Sequence, residues 1–268
     1  MVCSVHSIDG ARIGYQKFGN GVPLVLVHGT GTVGARWLPL LPLLLQHFAV
    51  YVVDRRGRGN SGDAPAYSID LEFHDIAAVV DSIDIPVVLL GHSFGGKCSL
   101  GAACLTHNLR RLILYEPGIL PPDTSYFEAG IIERLDTLCR AGKNAEVLMT
   151  FMREVLGLPE TELARARVLP TWDARVAGAP TIPREMRALE YSRFEPSQYR
   201  DLPVPTMLLR GTASSAGWHP AHDLVRTTLP DCRIVEIPGQ AHHAMDTAPE
   251  LFVNSIVHFC ESMPGENQ

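Results

Sequence analysis

The chain has 268 residues, enough for one large domain or two small ones, and 46% of them are hydrophobic against 19% charged. That balance supplies a sizeable core and excludes an intrinsically disordered chain. A formal net charge of −6, with no basic run denser than Arg55, Arg56 and Arg58, predicts no nucleic-acid partner and overall repulsion from an anionic membrane surface.

Residues 4–10 and 11–19 read as the two strands of a hairpin turning at Asp9-Gly10. The apolar run from Pro23 to Gly29 suits a third strand buried on both faces. A helix is expected from Ala35 to His47, then a strand ending at Asp54. The most apolar stretch, Leu38 to Val53, is interrupted by Pro39, Pro42, Gln46 and His47 and cannot span a bilayer. Ser68 and Asp70 offer caps for a helix through Ile76 and Val80. A fifth strand from Pro86, a helix from about Ser93 to His107 and a sixth strand ending at Glu116 follow. Buried strands alternating with helices imply parallel pairing through right-handed crossovers, an α/β fold.

The rhythm changes between Gly118 and Asp201, where apolar residues recur at helical spacing (Ile131, Leu135, Leu138; Val147, Phe151, Val155) without a strand pattern. The sheet resumes with strands from Val204 and Cys232, separated by a helix from His219 to Leu229, and ends with a helix through Leu251, Ile256 and Phe259. Residues 1–117 and 202–268 are therefore expected to form one sheet domain, interrupted by a helical insertion over 118–201. The six cysteines are scattered without a CxxC pair, as buried thiols of a reducing cytosol would be. The first residues have neither a basic n-region nor an apolar h-region, so no signal peptide and a cytoplasmic protein are expected.

The strongest chemical signal is Gly91-His92-Ser93-Phe94-Gly95-Gly96, between an apolar strand and a helical pattern. Small residues flanking a serine at such a junction permit a strained turn that projects the hydroxyl from the carboxyl edge of the sheet. The helix that starts there directs backbone N–H groups toward developing negative charge. The alternative is a glycine-rich turn with an incidental serine.

With this motif in that context, the chain resembles the α/β-hydrolase-fold superfamily over nearly its whole length. His28-Gly29-Thr30-Gly31 resembles the oxyanion loop after the third strand. Asp54-Arg55-Arg56-Gly57-Arg58-Gly59-Asn60-Ser61 is similar to the D-x-R-G-x-G-x-S turn after the fourth, which the family uses structurally. Gly239-Gln240-Ala241-His242 follows the last strand. The resemblance implies a mostly parallel, doubly wound sheet with a helical cap after the sixth strand, Ser93 as nucleophile, His242 as base, and the N–H groups of Thr30 and Phe94 as oxyanion donors. His243 is left to line the pocket or face the cap.

The acid departs from the common pattern. The loop after the seventh strand, Gly211-Thr212-Ala213-Ser214-Ser215, holds no carboxylate where many relatives place an aspartate. Some members take their acid from the end of the sixth strand, where Glu116 stands; otherwise Glu116 only bonds the backbone near Pro117, and Ser214 orients His242. In the cap, Phe127, Ile131, Leu148, Phe151, Met152 and Leu156 are first of all packing residues. Some of them, with Trp172 and Trp218, are candidates to line a pocket for a small apolar or aromatic substrate.

The resemblance implies a serine hydrolase of a carboxylic ester, lactone or thioester. Serine at the elbow argues against the dehalogenase and epoxide-hydrolase branches. Non-hydrolytic chemistry with His242 as base (a cofactor-free dioxygenase, lyase or cyclase) and ligand binding without turnover are the alternatives. With no metal-ligand cluster and no nucleotide-binding glycine loop in the sequence, no cofactor and no metal are expected.

Overall fold

The apolar runs pair into a single eight-stranded sheet in a computed structural model that describes residues 1–120 and 127–261. Its strands are β1 (Val2–His6), β2 (Arg12–Phe18), β3 (Val22–Val27), β4 (Phe48–Val53), β5 (Val87–His92), β6 (Leu109–Tyr115), β7 (Thr206–Gly211) and β8 (Cys232–Ile237). They lie in the order β1-β2-β4-β3-β5-β6-β7-β8. The β1–β2 and β2–β4 pairs are antiparallel and the remaining pairs are parallel. The first hairpin turns at Gly10, whose φ of 82° suits glycine, while Asp9 accepts the Ala11 N–H at 3.0 Å.

Successive residues of a strand face opposite sides of a sheet, and the central strands supply apolar side chains to both. Val25, Val27 and Leu89 enter one core layer, and Leu24, Leu26, Val88 and Leu90 enter the other. Helices cover both layers, as a parallel sheet requires.

The helix expected over Ala35 to His47 is divided into a 3-10 turn, Gly34–Leu40, and a short α1 (Leu41–Leu44). Pro39 and Pro42 supply no N–H to a continuous α-helical ladder. Helix α2 (Ile69–Asp81) starts on Ser68, whose side chain accepts the Leu71 N–H at 3.3 Å. Helix α3 (Phe94–Ala103) ends before the expected His107, because β6 already begins at Leu109 and the intervening residues must reverse the chain.

Between β6 and β7 the described residues are helical and contain no strand: α4 (Ile131–Arg140), α5 (Asn144–Thr150), α6 (Glu160–Arg167), α7 (Trp172–Gly178), α8 (Ile182–Tyr191) and α9 (Pro196–Tyr199). Leu135, Val147, Leu148, Met152, Ile182 and Met186 build a separate core there. Helix α5 runs on into a π turn, Phe151–Val155. The chain closes with α10 (His219–Thr228), α11 (Ala244–Thr247) and α12 (Pro249–Glu261). Positions 121–126 of the expected insertion and 262–268 of the expected sheet domain lie outside the described residues.

The expectation of buried thiols holds for Cys98 only. Cys104 is exposed and the other four are half-buried; none is in a disulfide. They sit on helix flanks and edge strands, where packing is one-sided. No helix among the described residues is long and apolar enough to cross a membrane.

The arginine run is buried, and each of its three guanidinium groups is paired with a carboxylate. Arg55 pairs bidentately with Glu72 of α2 at 2.7 and 3.0 Å and reaches Glu185 of α8 at 3.1 Å. Arg56 binds Asp75 and Asp9, and Arg58 binds Glu185 and Thr181. Asp54 closes the turn by accepting the N–H groups of Gly34 and Asn60, both at 2.9 Å. The predicted structural turn is thus an anchor joining the sheet to α2 and to the helical segment. Breaking one partner of a buried ion pair leaves the other charge desolvated and uncompensated. Glu72→Gln should lower the free energy of unfolding by about 3 kcal/mol, measured by urea denaturation; a change within experimental error would contradict an energetic role for this pair.

Candidate active site

The Gly-x-Ser-x-Gly segment joins β5 directly to α3, and its geometry requires glycine on both sides. A Cβ on Gly95 would stand 2.5 Å from the His28 carbonyl oxygen, and one on Gly91 would stand 2.3 Å from the Gly95 oxygen. Ser93 between them has φ 55° and ψ −124°. It is held there by its own N–H, donated to Tyr115 O at 3.0 Å, and by its carbonyl, which accepts from Gly96 and Gly118, each at 2.8 Å. Among the described residues only two non-glycine positions have positive φ, Ser93 and Glu116. They end neighbouring strands, and such conformations persist only where the surroundings over-determine them.

Glu116 is 1% exposed and uses both carboxylate oxygens. Oε1 accepts the Gly211 N–H at 2.9 Å and the Ser214 hydroxyl; Oε2 lies 2.7 Å from His242 Nδ1. Burial pushes its pKa up, but the hydrogen bond and charge of His242, then the bonds from Ser214 and Gly211, outweigh that and hold it below the usual carboxylate value. The loop after β7 therefore supplies donors to the carboxylate rather than the carboxylate itself. Ser214 bonds Glu116 and not His242.

His242 is carried on the turn after β8, which two buried side chains fix from beneath. His92 Nε2 donates to the His242 carbonyl at 2.9 Å, while Tyr115 donates to Ala241 O and accepts the Ala244 N–H at 2.9 Å. The Trp218 ring stacks on the His242 ring at 6.3 Å between centroids. His92 and Tyr115 are functional supports that the sequence reading did not identify; their only signal was a polar side chain at the carboxyl end of an otherwise apolar strand.

Ser93, Thr30, His242 and His243 line one cavity of about 110 Å³. Phe151, Met152 and Leu156 of the helical segment face it. Ile131, Leu148 and Phe127 instead pack into that segment's core, and Trp172 lies outside the cavity. The lining also carries Arg36 and Arg175, so charged groups stand beside the apolar side chains expected there. Neither the Thr30 nor the Phe94 N–H donates to a protein acceptor among the described residues. Among these residues no group of three or more histidine, cysteine or acidic side chains is disposed to hold a metal ion.

His28 belongs to the scaffold. Its Nε2 accepts the Arg55 N–H at 3.2 Å, which leaves the proton on Nδ1 for Gly29 O at 2.8 Å. Burial, then the charges of Arg58 and Arg55, holds its pKa well below the ordinary imidazole value.

Residues 24–255 match the profile of the Alpha/beta hydrolase family. The chain belongs to that family. It is similar to the crystal structure of an α/β hydrolase from Sphaerobacter thermophilus, with a TM-score of 0.82, 32% identity and coverage of 96% of this chain and 100% of the other. It is 24% identical to the 2-(acetamidomethylene)succinate hydrolase of Mesorhizobium japonicum over 95% of this chain and 94% of that one. A shorter stretch of 91 residues, 34% of this chain and 35% of the other, is 42% identical to the pimeloyl-[acyl-carrier protein] methyl ester esterase of Photobacterium profundum.

His28, His92 and His243 all have pKa values held well below 6.5, burial being the first cause in each. The folded state keeps these rings neutral while the unfolded chain takes up protons below about pH 6.5. Stability from these groups is present above that pH and is lost as pH falls toward the depressed folded values. Urea-unfolding free energy should therefore decline from pH 7 to pH 5, and a flat profile would contradict the neutral assignment.

Proposed function

We propose that the chain is a serine hydrolase that cleaves a carboxylic ester, lactone or thioester through an acyl-enzyme. The observation that carries this reading is the 2.7 Å contact between His242 Nδ1 and a Glu116 carboxylate whose other oxygen is already occupied. A carboxylate so fixed sets the imidazole tautomer with Nδ1 protonated, frees Nε2 as a base, and stabilises the imidazolium that forms.

In the proposed reaction Ser93 Oγ attacks the carbonyl carbon as His242 Nε2 takes its proton. The Thr30 and Phe94 N–H groups donate to the resulting oxyanion, and such donors are each worth a few kcal/mol in the transition state. Collapse of the tetrahedral species expels the alcohol or thiol, which takes the proton from His242. Water then attacks the acyl-enzyme with His242 again as base, releasing the acid and restoring Ser93. The segment 118–201 acts as a cap, with Phe151, Met152 and Leu156 excluding water over the acyl group. The relatives support hydrolysis of a carboxylic-acid derivative: the substrate of the Photobacterium esterase carries a methyl ester, and that of the Mesorhizobium hydrolase an acetamido group.

A fluorophosphonate probe should modify Ser93, located by peptide mass spectrometry, and His242→Ala should abolish the modification. An unlabelled Ser93 in folded protein would instead favour the non-hydrolytic or ligand-binding alternatives. In the same framework Glu116→Gln should lower turnover of 4-nitrophenyl acetate by about 10³-fold or more; near wild-type turnover would remove Glu116 from the mechanism.

A further inference from the structure

The charges around the cavity do not balance. Three guanidinium groups, Arg36, Arg165 and Arg175, line it against two carboxylates, Glu162 and Asp246. Arg165 pairs with Glu162 at 2.9 Å and Arg36 with Asp246 at 2.6 Å. Arg175 is left over. It donates through Nε to Gly31 O at 2.9 Å and contacts Met152 Sδ at 3.2 Å, and it has no carboxylate partner among the described residues. His243 cannot supply a counter-charge, since an imidazole ring is either neutral or cationic.

A half-buried guanidinium satisfied only by a carbonyl and a thioether is an unfavourable arrangement for the protein by itself. Burial, and then the like charge of Arg36, pulls the Arg175 pKa down to about 10, with Asp246 the only group opposing the fall. Arg36 has a matching vacancy: its Nε is buried and makes no hydrogen bond, while the Asp246 contact occupies one of the terminal nitrogens. Both guanidinium groups are near enough to His243 to depress its pKa. Both also flank the Thr30-Gly31 loop, Arg175 by bonding Gly31 and Arg36 from the 3-10 turn that follows.

We propose that Arg175 and Arg36 form a carboxylate-binding subsite beside Ser93, so that the preferred substrate carries an anionic carboxylate close to the bond that is cleaved. This deepens the hydrolase reading and rests on it. Guanidinium and carboxylate match in shape and charge, and a charge-assisted hydrogen bond in a partly desolvated pocket is stronger than one in water. A bound carboxylate restores the missing negative charge, fills the hydrogen-bonding capacity left free on Arg175 and Arg36, and draws the cap helix α7 onto the oxyanion loop. Recognition and closure are then one event, because Arg175 contacts both Gly31 and the ligand.

The test uses succinate, one carboxylate for the subsite and one standing where the scissile group would lie, against its uncharged diamide, succinamide. Titration calorimetry on the wild-type chain should show binding of succinate and at least roughly tenfold weaker binding of succinamide. Arg175→Gln and Arg36→Gln should each weaken succinate by roughly tenfold to a hundredfold, and Arg175→Lys should restore part of the loss. Equal binding of the two compounds by the wild-type chain, or succinate affinity unchanged in Arg175→Gln, would overturn the subsite. If a glutamine variant fails to fold by circular dichroism, the wild-type comparison still decides. Fluorophosphonate labelling of wild-type Ser93 runs in parallel: labelling with no succinate preference rejects the subsite alone, whereas absence of labelling rejects the hydrolase reading.

Discussion

A carboxylate with almost no solvent around it must have both oxygens hydrogen-bonded, and Glu116 meets that demand by drawing three segments together. Its Oε1 is held by Gly211 and Ser214 after β7, and its Oε2 by His242 after β8, while its own N–H continues the sheet by donating to Leu209 O at 3.0 Å. Burial alone would favour the neutral acid; the donors together keep the pKa below the ordinary value, so the negative charge is retained beside the imidazole. The backbone at Glu116 is left-handed, φ 41°, where the chain leaves β6. If this carboxylate were removed, the loop after β7 would lose its acceptor and His242 its orientation at one stroke.

The second half of the site is built by a different kind of contact. The His28-Gly29-Thr30-Gly31 loop is fixed to the Asp54 turn through His28, and that turn is fixed to α2 and α8 through Arg55, Arg58, Glu72 and Glu185. The ion pairs run from the Asp54 turn directly into the helical segment and tie α8 to the sheet. At the α7 end, Arg175 makes a single hydrogen bond to Gly31. Phe151 and Met152 of the π turn Phe151–Val155 line the same cavity as Ser93.

Much of this was legible in the sequence, and for identifiable reasons. The central strand positions follow from short continuous apolar runs, and the Ser68 cap and the Asp9-Gly10 turn follow from local chemistry. The elbow is legible because glycines are needed where a Cβ would collide with His28 and Gly95 oxygens. Glu116 entered as a candidate through the resemblance to family members that take an acid from the end of the sixth strand, together with the missing carboxylate in the Ser214 loop. What stayed hidden depends on long-range encounters. Nothing local to Arg55 announces Glu185, 130 residues away, or to Arg36 the nearby charge of Arg175. Proline placement split the helix around Leu40, and the insertion's apolar residues divided between core and cavity in a way periodicity alone does not encode.

The central claim, that Glu116 in its ionised form orients His242, has a direct spectroscopic signature. A protein-bound histidine Nδ1–H held by a buried carboxylate gives a far-downfield proton resonance, visible when exchange with solvent is slow. Such a resonance is expected in the wild-type chain, absent from His242→Ala and moved markedly upfield in Glu116→Gln. A resonance that keeps its position in Glu116→Gln would contradict the claim and assign the proton to another partner.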